Sequence, residues 1–224
     1  MKIVRPFFFV GAQIINWPII NRAIRFSISD CRFSIPYNPH MAILKVARLG
    51  HPVLRTRAEP LKPAEIGSAR IQQWIDDMFD TMAEYGGIGL AGPQVHESLR
   101  LFVAGVRKGD VVTPMTDDVD MPFIALINPE IVPVGDAVDT SWEGCLSIPD
   151  MRGKVERPTA IRVRALDRSG RRIELVAHGL PARVIQHEYD HLEGIVFFDR
   201  MDSFETLTFM DEFKRYWAKN DEDE

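Results

Sequence analysis

The run Gln186-His187-Glu188-Tyr189-Asp190-His191 constrains this chain more than any other stretch, because it contains the pattern H-E-x-x-H. Pro181 sits where a first helical turn tolerates it and Gly194 closes the run, so a helix is predicted over 180–193. Side chains at i and i+4 share a helix face, which lets His187 and His191 hold one divalent ion between them. Glu188 lies too far round to ligate, yet stands where it can handle the proton of a water at that ion. The competing reading is a solvated helix with two surface histidines, and the motif by itself leaves both open.

The remaining chain has to accommodate that site. With 46% hydrophobic residues over 224 positions there is enough apolar chain for one ordinary globular core, and nothing points to a second domain. A net charge of −5, from 27 basic and 32 acidic residues, gives no general pull toward nucleic acid or an anionic membrane surface. Cys31 and Cys145 are too few for a disulfide framework and suit a reducing compartment, where a thiolate can ligate metal.

Residues 1–40 differ from everything after them. Lys2, Arg5, Arg22 and Arg25 all precede the first acidic residue, Asp30, and an apolar run surrounds Phe7-Phe8-Phe9-Val10. A targeting segment fits in part, but Gln13, Asn16 and Pro18 break the run, which is too short for a membrane span and lacks a small-residue cleavage site. A mis-assigned upstream start also fits, since ordinary globular composition begins at Met41. The expected organisation is an N-terminal extension over 1–40 and one domain over 41–224, ending in a helix and the acidic run Asp221-Glu222-Asp223-Glu224. The expected location is cytoplasmic, or organellar if residues 1–40 are a genuine presequence.

From Met41 the chain reads as extended segments and turns to Pro63, then as a helix over 69–85 with Ile71, Trp74, Ile75, Met78, Phe79 and Met82 on one face. Gly86 and Gly87 end it. The following Gly87-Ile88-Gly89-Leu90-Ala91-Gly92-Pro93-Gln94 lacks the Gly-Lys-Ser/Thr of a phosphate loop and reads as a peptide-binding edge or a turn beside a site. Strands are predicted over 99–106, 123–127, 131–138, 160–166 and 173–176, with a polar surface loop over 107–120 and a hairpin turn at Asp167-Arg168-Ser169-Gly170. After the histidine helix come 195–198 and then an amphipathic helix with Phe204, Leu207, Phe209, Met210, Phe213 and Trp217 as its apolar positions.

Glu143-Gly144-Cys145-Leu146-Ser147 falls in a turn-prone region after a strand. Cys145 is the natural third ligand: two imidazoles and one thiolate leave a fourth position on Zn²⁺ or Fe²⁺ for water, the pattern of a catalytic site. A lone cysteine is more often simply buried, and it is the combination of the three stretches that favours ligation.

Together these stretches resemble the three signature motifs of the peptide deformylases. Gly87 through Gln94 is similar to G-x-G-L-A-A-x-Q with Gly92 in place of the second alanine; Glu143 through Ser147 matches E-G-C-L-S; Gln186 through Gly194 matches Q-H-E-x-D-H-L-x-G. The likeness covers Met41 to Met201, with motif order and spacing kept.

The resemblance implies an α+β fold in which small antiparallel sheets surround the helix bearing H-E-x-x-H. It implies hydrolysis of the formyl group from N-terminal formyl-methionine of new polypeptides, with release of formate. Cys145, His187 and His191 would hold one divalent metal, Fe²⁺ in the cell and replaceable by Zn²⁺, Ni²⁺ or Co²⁺. Glu188 would be the general base and acid, and the Gln94 side chain and Leu146 N–H the oxyanion donors. Gly87, Ile88, Gly89 and Gly144 are candidates for strand-like contacts with the peptide, and Ile88 with Val184 for its apolar side-chain pocket. Glu143 and Arg157 would pair to support the Cys145 loop. Trp142 and Arg183 flank the site and either narrow the pocket or pack, with packing favoured for Trp142. The implied partners are nascent formyl-Met polypeptides, with transient contact to the ribosome; a monomer without nucleic-acid or membrane binding is expected.

Three rival readings come from other classes. A zinc peptidase shares H-E-x-x-H but takes its third ligand downstream, here Glu193 or Asp199. A cysteine hydrolase with Cys145 as nucleophile keeps its activity in a chelator. A non-catalytic binder of formylated N-termini leaves Glu188 without a purpose.

Overall fold

The computed structural model describes residues 42–106 and 121–218. The extension over 1–40, the loop expected over 107–120 and the acidic end over 220–224 lie outside the described residues.

The chain enters along the helix that follows it, with Ala42 N–H donating to Asp77 Oδ1 and Leu44 N–H to Thr81 Oγ1. A 3-10 turn at Pro52–Arg55 and the short α1 (Pro63–Ile66) lead to α2 (Ala69–Glu84), whose first turn is capped by the Ser68 hydroxyl accepting from Ile71 N–H. Next come β1 (Gly89–Ala91), a 3-10 turn at Gly92–Val95, β2 (Leu101–Val106) and β3 (Met121–Pro133). A hairpin of β4 (Val138–Cys145) and β5 (Ile148–Pro158) precedes β6 (Ala160–Leu166), β7 (Arg172–His178) and α3 (Gly179–Leu192). The chain finishes through 3-10 turns at Phe197–Arg200 and Phe204–Thr206, then β8 (Thr208–Phe209) and α4 (Met210–Tyr216).

Among the described residues two antiparallel sheets result: five strands in the order β1-β2-β3-β6-β7, and three in the order β4-β5-β8. β2 is buried throughout, and its period-2 alternation divides the core. Leu101 and Val103 join the α2 stripe of Ile71, Ile75, Met78 and Met82, while Phe102 and Ala104 join Ala182, Val184 and Ile185 of α3. Each of the larger aliphatic and aromatic side chains among these contributes about 2 kcal/mol on burial. The histidine helix is thereby pressed against a sheet, and the α+β architecture expected from the resemblance is the one found.

Two expectations need correcting here. The strand predicted over 123–127 and the first part of that predicted over 131–138 are one strand, β3, kinked by a register shift between Ile127 and Glu130, while residues 134–137 lie between strands and Val138 already opens β4. Asn128 takes the left-handed conformation there (φ 50°), and its amide both accepts from Leu61 N–H and donates to Leu61 O, so the kink is braced instead of breaking the strand. Residues 195–198 run into a 3-10 turn that begins at Phe197. The last helix begins only at Met210: Phe204 and Phe209 lie outside it and are exposed, and only Phe213 of its apolar set is buried.

Candidate active site

Two elements bring three metal-binding atoms together. α3 presents His187 and His191 one turn apart, and the end of β4 delivers Cys145, paired across the Leu146-Ser147 turn with Ile148. The expected turn-prone region is therefore strand as far as Cys145. The three donor atoms all lie within 4.8 Å of one another, and Cys145 Sγ is 3.2 Å from His191 Nε2. Two ligands at tetrahedral angles on one zinc-sized ion sit ~3.5 Å apart, so the cluster has the size and the donor types to close around one divalent metal.

The ligands are held from behind. His187 Nδ1 is 2.9 Å from Glu143 Oε2, which leaves its Nε2 for an ion. Burial would raise the Glu143 carboxyl, but hydrogen bonds from His187 and Arg157 outweigh this and hold it well below the usual carboxylate range, so it accepts and His187 donates. Burial likewise pushes the Cys145 thiol up, and the charges of His191 and His187 reverse the sign, favouring the thiolate that metal binding requires. His187, which burial would make less basic, is raised by Cys145 and Glu143.

Glu188 is buried beside the cluster, and its Oε2 finds no partner among the described residues. Burial pushes its carboxyl up to about 7, with the two histidines pulling the other way. A Cβ at Gly89 would fall 2.3 Å from Glu188 Oε1, so this glycine, expected as a peptide contact, also provides the space into which the carboxylate fits.

Gln94 is fully buried. Its Oε1 accepts from Ala91 N–H at 2.7 Å, which orients the amide so that Nε2 faces Cys145 Sγ (3.5 Å) and Ser147 Oγ (3.3 Å). Leu146, half-buried, lies against Gly87, where an added Cβ would meet its Cδ1 at 2.8 Å, so the first two motifs touch. Across Gly144 lies the guanidinium of Arg152, and Ile88 packs against the apolar cluster that contains Val184. Gln94 and Glu143 thus contact the donors directly, Gly89 opens onto Glu188, and Gly87 meets Leu146.

Gly92, the departure from the motif, has a local cause. A Cβ there would lie 2.7 Å from Leu99 O, 2.9 Å from Glu97 O and 3.1 Å from the Trp74 ring, and backbone atoms cannot swing aside. The glycine lets the 97–99 segment press on the 3-10 turn that carries Gln94. Gly92→Ala is expected to cost about 2 kcal/mol and lower the thermal midpoint by roughly 5 °C, checked by thermal unfolding.

Glu143 and Arg157 form a buried bidentate pair, Nε to Oε1 at 2.6 Å and Nη2 to Oε2 at 3.0 Å. Arg157 Nη1 also reaches Asp190 Oδ2 at 2.9 Å, and Asp190 in turn holds Arg200. Arg183 belongs to this network as well, donating to Glu143 Oε1 at 2.7 Å. Sequence reasoning gave no role to Asp190 or Arg200, and their partners lie on other elements where local pattern carries no signal. Trp142 packs, as expected, against Phe213 and Trp217. The downstream residues a zinc peptidase would use are otherwise engaged: Glu193 pairs with Arg57 and Arg100, and Asp199 accepts from Val196 N–H and pairs with Arg55.

This geometry can be set beside known proteins. Residues 43–206 match the sequence model of the family described as polypeptide deformylase. Peptide deformylase 2 of Pseudomonas syringae pv. tomato is 40% identical over 169 residues, covering 75% of this chain and 93% of that protein. The peptide deformylase of Stutzerimonas stutzeri is 44% identical over 163 residues, covering 73% and 89%. Among solved structures, the Met-ala-ser complex of the class I type b peptide deformylase from Acinetobacter baumannii superposes with a TM-score of 0.68 at 38% identity, covering 72% of this chain and 99% of that one. The donor cluster, the buried Glu188 and these likenesses agree, and the chain belongs to the polypeptide deformylase family.

Proposed function

We propose that this chain removes the formyl group from formyl-methionine at the N-terminus of new polypeptides, releasing formate, with one divalent metal held by Cys145, His187 and His191. The family is one of metal-dependent hydrolases that act on formylated N-termini. The observation that carries the reading for these residues is the convergence of the pinned Gln94 amide on the donor cluster beside which Glu188 is buried.

When bound, the ion would act as a Lewis acid on the water and on the formyl oxygen. Glu188 takes the proton of the attacking water, whose oxygen bonds to the formyl carbon, and passes it to the nitrogen as the C–N bond breaks; a carboxyl near neutrality is suited to both transfers. The Gln94 amide and the Leu146 N–H stabilise the charge on the formyl oxygen, a contribution of about 3 kcal/mol per donor. Gly87, Ile88 and Gly89, at the start of β1 on the sheet's outer edge among the described residues, and Gly144 of β4 offer backbone to an extended peptide, and Ile88 with Val184 receives the methionine side chain. The Met-ala-ser bound by the Acinetobacter enzyme is the peptide that formyl-Met-Ala-Ser leaves after deformylation.

Thiolate and imidazole donors suit Fe²⁺, the metal proposed in the cell, and also accept Zn²⁺, Ni²⁺ or Co²⁺. The same reading has the enzyme act as a cytoplasmic monomer in transient contact with the ribosome, its domain beginning at Met41; no helix of the described residues is long and apolar enough to cross a membrane.

Formate release from formyl-Met-Ala-Ser is expected to be abolished by a chelator and restored by Fe²⁺ or Zn²⁺, both in the full chain and in a chain beginning at Met41. Activity that survives complete metal removal points to Cys145 as a nucleophile and overturns the proposal.

A further inference from the structure

We propose that Arg183 is a positioning residue for the metal ligand His187, acting through Glu143; this rests on the assignment of Cys145, His187 and His191 as the ligands. Arg183 and His187 stand four residues apart on α3 and therefore on one face. Both reach the same carboxylate on β4, one per oxygen: Arg183 Nη1 donates to Glu143 Oε1 at 2.7 Å, and His187 Nδ1 to Oε2 at 2.9 Å. Arg157 adds Nε to Oε1 and Nη2 to Oε2. Four donors on two oxygens use the hydrogen-bonding capacity of a carboxylate in full, leaving it no freedom to turn.

Arg157, from β5, holds Glu143 within the hairpin and reaches α3 only through Asp190, beside His191, whereas it is Arg183 that shares the Glu143 carboxylate with His187 from the same helix face. Arg183 comes from the helix. Its Nη1 also donates to Val155 O of β5 at 2.8 Å, and its Nη2 to Asp139 O and Oδ2 of β4 at 2.7 and 3.0 Å. A single buried guanidinium therefore ties α3, which carries two ligands, to both strands of the hairpin that carries the third. The planar fork is needed for this, since an ammonium reaches fewer of these acceptors at once. Had Arg183 only narrowed the substrate pocket, its guanidinium would not be spent on these acceptors.

The test uses the full chain loaded with Zn²⁺ for affinity and with Co²⁺ for its visible spectrum. Arg183→Leu is expected to weaken Zn²⁺ binding, measured by chelator competition, by 10- to 100-fold, the usual effect of removing a group that orients a ligand. It should alter the Co²⁺ spectrum and lower kcat while leaving KM for formyl-Met-Ala-Ser unchanged. Arg183→Lys should recover part of the affinity. If Arg183→Leu does not fold, Arg183→Gln carries the same expectation.

A lower thermal midpoint with wild-type Zn²⁺ affinity and Co²⁺ spectrum overturns the proposal in favour of a purely structural role. A raised KM at unchanged affinity overturns it in favour of the pocket. Full metal retention by Cys145→Ala and His187→Ala refutes instead the ligand assignment, which separates the two failures.

Discussion

Replacing Glu188 with glutamine is expected to leave the metal bound and to slow formate release by about 10²–10⁴-fold, the contribution of a positioned general acid–base group. Glutamine keeps the shape that fits over Gly89, where a carboxylate atom already lies 2.3 Å from the place a Cβ would take. It removes the proton acceptor and adds no charge to a buried site, so folding should not suffer. His187→Ala and Cys145→Ala should behave differently and lose metal and activity together, because two ligands hold an ion poorly. Cys145→Asp falls between, since a carboxylate ligates but is harder than a thiolate, giving partial occupancy and weak activity. Metal stoichiometry measured beside turnover separates these cases, and a Glu188→Gln protein with full metal and near wild-type turnover would remove Glu188 from the mechanism.

How far the site could be read in advance depended on whether a residue's partner lay nearby in sequence. His187, Glu188 and His191 share one helical turn, and the 3.6-residue period that places them also placed Ile71, Ile75, Met78 and Met82 on α2, so both helices were legible to within a residue or two at their ends. The β4–β5 hairpin was not. Its buried positions include Glu143 and Arg157, which look solvated in a pattern of apolar and polar residues and are buried only because each neutralises the other across the hairpin. Arg183 was invisible as a brace for the same reason, its acceptors lying 28 to 44 residues away. The Glu143–Arg157 pairing came from the family resemblance and not from spacing. Helix 204–217 failed on physics of another kind: Thr208 and Phe209 are drawn into an antiparallel pair with Met151 and Arg152, and the exposed backbone of β5 outcompetes the helical preference of that segment.

Arg157→Leu is expected to cost about 3 kcal/mol, roughly 6–12 °C in thermal midpoint, together with loss of bound metal. Arg157 is 4% exposed and supplies two of the four donors on Glu143 as well as one to Asp190. Taking it away leaves two buried carboxylates short of positive charge. Arg183 cannot compensate, because its Nη1 already serves Glu143 and its Nη2 is committed to Asp139, while Arg200 is engaged with Asp190. The pH dependence has a definite sign. A carboxyl held below its ordinary value contributes stability above that ordinary value and loses it as pH falls through the depressed one, so Glu143 supports the fold through mild acid. Without Arg157 the loss should move to higher pH, and the midpoint of the variant should fall more steeply on acidification than that of the wild type. Arg215→Leu is the control: it breaks a surface pair with Glu212 at 3.2 Å that is open to water on both sides, and should change stability by no more than ~0.5 kcal/mol. An Arg157→Leu protein with the midpoint and metal content of that control would mean that the pair does not hold the Cys145 strand in place.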